Sequence, residues 1–288
     1  MAIQLRGKSK DLGGFTVTRV LPNPLKRMVG PFVFLDQMGP ARFPAGQGID
    51  VRPHPHIGLA TVTYLLDGKM FHRDSLGNKV EILPGDVNWM TAGRGIVHSE
   101  RQSIEVKAKA QTAHGLQAWV ALPEQFAEIE PDFVHVDGAE LPHIFYQEVQ
   151  WRLIAGEAFG CTSPIKTYSP MFYLDVLAPA GKALARPNPD QECLVYVLDG
   201  SIAIEAEEFS SGDIVLLENE QTIDTQSMTR CILLGGKQWP DIPHIDWNFV
   251  SFSQDRLQQA KEDWENGKFP IIPSDDEERI PLPRAPAQ

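Results

Sequence analysis

The strongest constraint on the fold is an internal repeat with a spacing of about 130 residues. The string Tyr64-Leu65-Leu66-Asp67-Gly68 recurs as Tyr196-Val197-Leu198-Asp199-Gly200, and Gly85-Asp86-Val87 recurs as Gly212-Asp213-Ile214. These strings combine apolar, β-branched or aromatic residues with a turn dipeptide, as a strand and its hairpin turn do. Because self-similarity at a fixed offset indicates one structural unit used twice, the sequence predicts two copies of a small β domain.

Strand segments bounded by turns surround the first copy of the repeat. Residues 61–66 are β-branched and aromatic, and residues 80–83 and 87–90 flank the turn Pro84-Gly85-Asp86. Short strands at such intervals are typical of an all-β sandwich or barrel. The string His72-Arg73-Asp74, which lies between two of these segments, is predicted to be a loop.

Two residue pairs in the first copy have the spacing i, i+2: His54 with His56, and His98 with Glu100. Residues two apart in a strand point to the same face, so each pair can direct both side chains at one point. Imidazole and carboxylate together are ligands of iron, manganese, nickel or zinc. The alternative is a chance or hydrogen-bonded polar pair, but three of the eight histidines lie in these two short segments. We therefore expect the pairs to meet in one metal site.

The second copy of the repeat lacks these residue types. An offset of 132 carries the first pair onto Arg186 and Asn188, and an offset of 127 carries the second pair onto Thr225 and Ser227. None of the four is a histidine, a cysteine or an acidic residue. One metal ion per chain, bound in the first copy, is the expected stoichiometry.

With these motifs the chain resembles the cupin superfamily and, within it, the pirin family. The stretch from Gly48 to His56 is similar to the opening of the first cupin motif, and the stretch from Pro84 to His98 is similar to the second. The likeness to pirins is carried by residues 34–36, 54–56, 61–66, 72–74, 84–86, 89–96, 98–100 and 113–117. It implies an all-β fold of two tandem cupin β-sandwich or barrel domains, a bicupin, with a short C-terminal helix.

The resemblance to pirins also implies the ligands of a mononuclear metal. Matched residue by residue, they are His54, His56, His98 and Glu100. Pirins usually carry a glutamate at the position of Ala60 and often an arginine at that of Ile57. These departures lead us to expect an altered pocket polarity around an intact ligand set.

The activity that the resemblance implies is that of a quercetin 2,3-dioxygenase, in which a flavonol and dioxygen meet at one divalent ion. Iron(II) is the first expectation for the metal, with manganese, nickel, cobalt, copper and zinc as alternatives. Glu100 is the expected catalytic residue, because a carboxylate beside the metal can accept the proton of the flavonol 3-hydroxyl. Two alternatives stay open: a non-enzymatic, metal-dependent redox-sensing regulator or transcription cofactor that acts through a protein partner, and a bicupin without metal.

The composition limits the partners. The chain has 26 basic and 38 acidic residues and a net charge of −12, whereas nucleic-acid binding depends on Lys and Arg that neutralise phosphates. Direct nucleic-acid binding is not expected, although a local basic group at Arg19, Lys26 and Arg27 leaves room for it. No apolar run could span a bilayer and the start of the chain does not resemble a signal peptide, so we expect a cytoplasmic chain without membrane contact. We also expect a monomer.

The chain divides by these patterns into residues 1–130, 131–250 and 251–288. The last segment is predicted to hold a helix with Ser253 as its N-cap and with an apolar stripe and a terminal glycine, namely Leu257, Ala260, Trp264 and Gly267. Beyond Phe269, several prolines and the acidic run at 275–278 predict a poorly ordered tail.

The remaining cysteines and histidines are expected to be structural. Three widely spaced cysteines, Cys161, Cys193 and Cys231, are predicted to be free buried thiols. We expect a structural hydrogen bond for His114. The isolated histidines are predicted to lie at the surface: His135, His143 and His244.

Overall fold

The structure is a computed structural model that describes residues 2–11, 15–205, 207–218 and 221–283. Within these residues the chain forms 25 strands, two α-helices and one short 3-10 helix, Glu124–Phe126. The α-helices are α1 (Ile104–Lys107) and α2 (Gln254–Glu265). The strands are β1 (Ile3–Leu5), β2 (Lys8–Asp11), β3 (Thr16–Leu21), β4 (Phe32–Phe43), β5 (Asp50–His56), β6 (Leu59–Asp67), β7 (Met70–Asp74), β8 (Lys79–Ile82), β9 (Val87–Thr91), β10 (Ile96–Arg101), β11 (Gln111–Ala121), β12 (Asp132–Val136), β13 (His143–Tyr146), β14 (Val149–Ala158), β15 (Cys161–Thr162), β16 (Met171–Ala178), β17 (Ala183–Leu184), β18 (Glu192–Asp199), β19 (Ser201–Ile204), β20 (Glu207–Ser210), β21 (Ile214–Leu217), β22 (Ile223–Thr225), β23 (Thr229–Gly236), β24 (His244–Asp246) and β25 (Phe249–Ser251).

The strands group into two compact units built from discontinuous parts of the chain. We call one the histidine unit; it contains the described residues of Asp11–Val17, Gln37–His135 and Asp241–Gln288. We call the other the apolar unit; it contains those of Met1–Lys10, Thr18–Asp36 and Val136–Pro240. The chain after residue 240 thus belongs to the same compact unit as residues 37–135.

The two units repeat one strand order. A four-stranded sheet has the order β5-β10-β7-β8 in the histidine unit and β17-β22-β19-β20 in the apolar unit. A larger sheet contains β9-β6-β11-β4 in the first unit and β21-β18-β23-β16 in the second. These orders are linear, so the units are β-sandwiches and not closed barrels. The predicted duplication of an all-β domain is confirmed.

Matching turns close the repeated strands. Gly68 after β6 and Gly200 after β18 have φ angles of +87° and +84°, which glycine adopts without strain. A Cβ atom on Gly68 would also lie 2.5 Å from the carbonyl oxygen of Thr112. The glycine of the Asp-Gly dipeptide that marks the repeat in the sequence is therefore required by both backbone conformation and space.

Most predicted strands of the first copy are confirmed, with one correction. Residues 61–66, 80–83 and 87–90 lie in or at the end of β6, β8 and β9. His72-Arg73-Asp74, however, belongs to β7, which pairs with both β8 and β10, so the loop prediction is wrong. The reason is that the polar side chains of His72 and Asp74 are buried against each other, 3.1 Å apart, and mimic an exposed segment in the sequence.

The C-terminal helix is confirmed. The Oγ of Ser253 accepts a hydrogen bond from the backbone N–H of Arg256, and Gly267 after the helix has a φ of +67°. The buried face of α2 consists of the predicted stripe, Leu257, Ala260 and Trp264. It packs in a cluster of the histidine unit that also contains Ile57, Val97, Phe249 and Ile272.

The segment 270–283 makes specific contacts with the rest of the histidine unit, so the prediction of a poorly ordered tail is wrong there; residues 284–288 lie outside the described part. Ile272 is buried, and the N–H of Ile280 donates to the carbonyl of Pro53. Asp275 from the acidic run accepts a hydrogen bond from Ser99 at 2.6 Å and pairs with Arg101 at 3.1 Å. Two of the four acidic residues that suggested a solvated tail, Asp275 and Glu278, thus have partners on β10.

The cysteines and the basic group have ordinary structural surroundings. All three cysteines are free thiols; Cys193 and Cys231 are buried, as predicted, and Cys161 is only partly buried. Arg19 donates two hydrogen bonds to Asp36, and Lys26 pairs with Glu192, so two of the three cations of the basic group are matched by carboxylates. Among the described residues, no helix has the length and apolarity that crossing a bilayer requires.

Candidate metal centre

Three imidazoles converge at the ends of two adjacent strands. His54 and His56 lie at the end of β5, and the antiparallel pairing of β5 with β10 sets His98 opposite His54. The ring centroids are 4.3 Å apart for His54 and His98, and 5.0 Å apart for the other two pairs. One nitrogen of each ring lies within 4.8 Å of the others. The structure thus brings together the three histidines singled out in the sequence.

The hydrogen bonds of these rings leave nitrogens available for a cation. The Nδ1 of His54 is 2.8 Å from the carbonyl oxygen of Arg52, and the Nδ1 of His56 is 3.0 Å from that of Asn248. An Nδ1–H that donates to a carbonyl leaves Nε2 with its lone pair free, as in histidines that bind metals. Neither ring nitrogen of the buried His98 has a hydrogen-bond partner among the described residues. A divalent cation would satisfy such a nitrogen, so this donor set fits a metal.

Glu100 lies two residues after His98 on β10, but its carboxylate clusters with His72 and His98 and not with His54 and His56. A β-bulge separates His98 from Glu100 in the pairing with β5, and Glu100 is opposite His72 in the pairing with β7. Ligand atoms of Glu100, His98 and His72 lie within 4.8 Å of one another. The four predicted ligands therefore fall in two overlapping groups that share His98. The Oε1 of Glu100 is 2.6 Å from the hydroxyl of Thr63.

His72 is a buried neighbour of the site that the sequence analysis missed. Its Nε2 is 3.1 Å from a carboxylate oxygen of Asp74, and its ring stacks on Phe133 with centroids 4.3 Å apart. The ring centroid is 5.4 Å from that of His98. His72 and Asp74 have the same i, i+2 spacing as the two ligand pairs, and that signal could have identified them.

Burial governs the ionisation of the cluster. Burial lowers the pKa of His54 to about 4, and it lowers the pKa values of His56 and His98 well below 6.5, where neighbouring histidines add repulsion. These rings are therefore neutral at neutral pH, which is the form that binds a metal. Burial also raises the pKa of Glu100, against the hydrogen bond from Thr63, which lowers it.

The sheet that faces the ligand strands carries a row of polar side chains. Thr63 on β6 is opposite Gln117 on one side and Asn88 on the other, so the three side chains share one face. The hydroxyl of Thr63 lies 2.8 Å from Oε1 of Gln117. The indole of Trp119 lies on the same face, 5.1 Å from the ring of His56. This face and the ligand strands enclose the buried Glu100.

The other histidines differ from expectation in one case. His135 is not an isolated surface residue: its Nδ1 is 2.7 Å from Oδ1 of Asn88, at the edge of the same polar row. The sequence could not show this, because the contact depends on the fold bringing β12 beside β9. His114 has the predicted structural hydrogen bond, with Gln37 at 2.8 Å. His143 and His244 are exposed, as predicted.

The two departures from the pirin pattern do not face the site. Ile57 is fully buried in the cluster with α2. Ala60 is opposite Thr91 and Val120, so it points to the other side of the sheet from Thr61 and Thr63. The altered pocket polarity that these residues suggested does not follow from their positions.

The strand register corrects the match between the two copies. Glu100 is opposite His72 on β7, and Ile223 is opposite Ile204 at the corresponding place on β19. Ile223 therefore corresponds to Glu100 at an offset of 123, and not Ser227 at 127, because ten residues separate Asp213 from Ile223 whereas fourteen separate Asp86 from Glu100. Gln221 then corresponds to His98. The prediction of Thr225 and Ser227 was wrong in position, although the second copy still has no ligand there.

Comparisons with known proteins agree with this architecture. The Pirin family model matches residues 14–120, and the Pirin C-terminal cupin domain model matches residues 173–270. A pirin-like protein from Caulobacter vibrioides is 46% identical over 282 residues, which cover 96% of this chain and 97% of that protein. Pirin from Homo sapiens is 30% identical over 284 residues, which cover 93% and 92% of the two chains.

A solved structure extends the likeness to the whole fold. A quercetin 2,3-dioxygenase from Acinetobacter baumannii matches with a TM-score of 0.89 and 35% identity, covering 100% of this chain and 96% of that one. The two family models together span more than half of the sequence, and the repeated β-sandwiches have the cupin architecture that both models describe. The chain therefore belongs to the pirin family.

Proposed function

We propose that the chain is a metal-dependent dioxygenase of the quercetin 2,3-dioxygenase type. His54, His56, His98 and Glu100 hold one divalent ion, with iron(II) as our first choice. The observation that carries the proposal is the buried cluster of neutral imidazoles in which neither nitrogen of His98 has a partner among the described residues, beside a carboxylate of raised pKa. The 35% identity to a quercetin 2,3-dioxygenase over the full chain supports the substrate class.

The residues of the site have distinct tasks in this proposal. A bound redox metal supplies Lewis acidity toward the flavonol oxygens and a route for electrons between flavonol and dioxygen. The carbonyls of Arg52 and Asn248 fix the rings of His54 and His56, which leaves the Nε2 of each ring free to bind an ion. Glu100 accepts the proton of the flavonol 3-hydroxyl, and its raised pKa makes it a stronger base than an exposed glutamate.

Thr63 positions that base. Its hydroxyl lies between Glu100 and Gln117, at 2.6 and 2.8 Å, and its single proton can go to only one of them at a time. When Thr63 donates to Glu100, it holds the carboxylate in one orientation. When Glu100 has taken up the substrate proton, Thr63 can turn its own proton toward Gln117 and accept from the carboxylic acid.

Replacing Glu100 by Gln tests the role of the base. Glu100→Gln keeps the size of the side chain and an oxygen ligand, so we expect most of the metal to remain and flavonol turnover to fall by about 100-fold or more. The measurement is quercetin consumption under air, normalised to metal content by elemental analysis. Glu192→Gln, the same change at a paired carboxylate of the apolar unit, is the matched control and should retain parent activity.

The outcome also separates the enzyme from the alternative regulator. Turnover by the parent chain that disappears with a chelator and returns with iron(II) supports the dioxygenase. A parent chain that carries a full metal ion and leaves quercetin intact contradicts it and favours a metal-dependent regulator. Parent-rate turnover by Glu100→Gln would refute the role of Glu100 alone.

A further inference from the structure

We propose that Asn88 binds the substrate by donating a hydrogen bond from its Nδ2 to an oxygen acceptor on the Glu100 side of the ligand. This inference rests on the proposed function, since it assigns a substrate contact in the same site. It adds a residue of β9 to a site otherwise built from β5, β6, β7, β10 and β11.

The strand register places Asn88 on the inner face of the sandwich. Asn88 is directly opposite Thr63 in the pairing of β9 with β6, and side chains of opposed residues lie on the same side of a sheet. The hydroxyl of Thr63 is 2.6 Å from Glu100, so this side is the one that faces the candidate ligands. Asn88 is therefore a cross-strand neighbour of the group that touches the proposed base.

The amide oxygen of Asn88 has a hydrogen-bond partner, whereas the amide nitrogen has none among the described residues. Its Oδ1 is 2.7 Å from Nδ1 of His135, which can donate and fix the orientation of the amide. Its Nδ2 is buried and has no hydrogen-bond partner among the residues that the structure describes. Asn88 is only 2% exposed, and an unpaired buried N–H costs free energy. A ligand oxygen in the site would supply the acceptor.

The surroundings indicate the class of ligand. The rings of Trp119 and Phe133 lie against His56 and His72, with centroids 5.1 and 4.3 Å from the imidazoles. Aromatic walls with a few polar groups suit a planar aromatic ligand that carries oxygen atoms. A flavonol, whose 3-oxygen and 4-carbonyl lie on one edge of a flat ring system, offers the acceptor that Asn88 lacks.

The apolar unit shows that this strand position does not need an amide for folding. The offset of β21 from β9 places Val215 at the position of Asn88 and Val195 at that of Thr63, and the two are opposite each other in their sheet. Both are fully buried in an apolar cluster. The same frame is thus stable with valine, and the unpaired amide is a feature of the histidine unit.

Two substitutions test the contact by anaerobic binding of quercetin to the metal-loaded chain. Asn88→Asp keeps the shape and the acceptor for His135 but removes the donor, and Asn88→Leu removes both polar groups. We expect the quercetin Kd to rise about tenfold or more in each, with one metal ion per chain retained. In turnover, KM should rise by a similar factor while kcat changes less, as for a lost binding contact.

Controls keep the result specific. Asn23→Asp makes the same change at a buried asparagine of the apolar unit and should leave the quercetin Kd at the parent value. His135→Leu frees the amide of Asn88 without altering it and should raise the Kd about threefold. If neither Asn88 variant folds, a parent-like Kd in His135→Leu overturns the inference.

The outcomes separate this inference from the proposed function. Unchanged quercetin Kd in both Asn88 variants, with parent turnover intact, overturns only the role of Asn88. A parent chain that binds quercetin without cleaving it overturns the dioxygenase, while its Kd still tests Asn88. A metal-loaded parent chain that does not bind quercetin overturns both.

Discussion

The interiors of the two units differ at six positions that the strand register makes equivalent. The histidine unit has Thr61, Thr63, His72, Asn88, Glu100 and Gln117, and the apolar unit has, in the same order, Cys193, Val195, Ile204, Val215, Ile223 and Leu233. All six residues of the second set belong to one buried apolar cluster. The strand orders of the two units are nevertheless the same.

The difference teaches that the frame and the site have separate causes. Backbone hydrogen bonds of the sheets and the Asp-Gly turns define the frame, and both units have them. The interior can be filled with aliphatic side chains, which favour folding, or with polar ones, which must be hydrogen-bonded or bound to an ion. The histidine unit has the polar interior, which favours folding less than the aliphatic one. The function of such a fold depends on the site that its shared frame carries.

The largest expected effect comes from making the histidine unit resemble the apolar unit at one ligand. His98→Gln introduces the residue that stands at the equivalent position, Gln221, and removes the ring shared by the two groups of ligand atoms. We expect metal content to fall from one per chain to near zero and quercetin turnover to fall by about 1,000-fold or more. Metal analysis and a turnover assay measure it.

His114→Gln is the matched control for that substitution. His114 has a structural hydrogen bond to Gln37 and takes no part in either group of ligand atoms, so metal content and turnover should stay within about twofold of the parent. A metal-loaded His98→Gln chain would contradict the proposed ligand set.

The reverse exchange should be costly for folding. Ile223→Glu places in the apolar unit the carboxylate that stands at Glu100 in the histidine unit. Ile223 is fully buried among aliphatic residues, so the new carboxyl has neither an imidazole nor a metal beside it. We expect a loss of about 3 kcal/mol in the free energy of unfolding, measured by urea denaturation.

Ile223→Leu is the control for this exchange and should cost less than about 1.5 kcal/mol, because it conserves volume. Equal stability of Ile223→Glu and the parent would show that the interior of the apolar unit can hydrate a carboxylate. The difference between the two interiors would then contribute little to the free energy of unfolding.

Much of this contrast could be predicted from the sequence, and what could not be predicted has physical causes. Local patterns sufficed for the strands around Asp67-Gly68, for the helix after Ser253 and for the histidine pairs, because side-chain alternation and turn chemistry are local. His135 beside Asn88 depends on strands far apart in sequence becoming neighbours, which no local pattern encodes. The contacts of segment 270–283 were missed for the same reason: Asp275 meets Ser99 and Arg101 only in the folded chain.

The last expected effect is a pH dependence of stability, in which the histidine unit determines the loss at acid pH and the apolar unit the loss at alkaline pH. Burial lowers the pKa of His54 from 6.5 to about 4, so the unfolded chain takes up a proton in this range that the folded chain does not. Stability of the metal-free chain is therefore complete above pH 6.5 and falls as the pH drops toward 4, by roughly 3 kcal/mol for one such group. His56 and His98 act in the same direction, and Glu100, whose pKa is raised, opposes them.

At alkaline pH the buried groups of the apolar unit should determine the loss of stability. Burial raises the pKa of Cys193 from 9 to about 12 and that of Tyr196 from 10 to about 12, so these groups ionise first in the unfolded chain. Stability is then complete below pH 9 and falls as the pH rises toward 12. Urea denaturation of the chelated chain from pH 4 to 11 measures both losses. Cys193→Val, which keeps an apolar side chain of similar size, should make the alkaline loss less steep and leave the acid loss unchanged, because Tyr196 and Cys231, whose pKa values burial also raises, remain. A chain whose acid loss became less steep instead would show that the two interiors do not titrate independently.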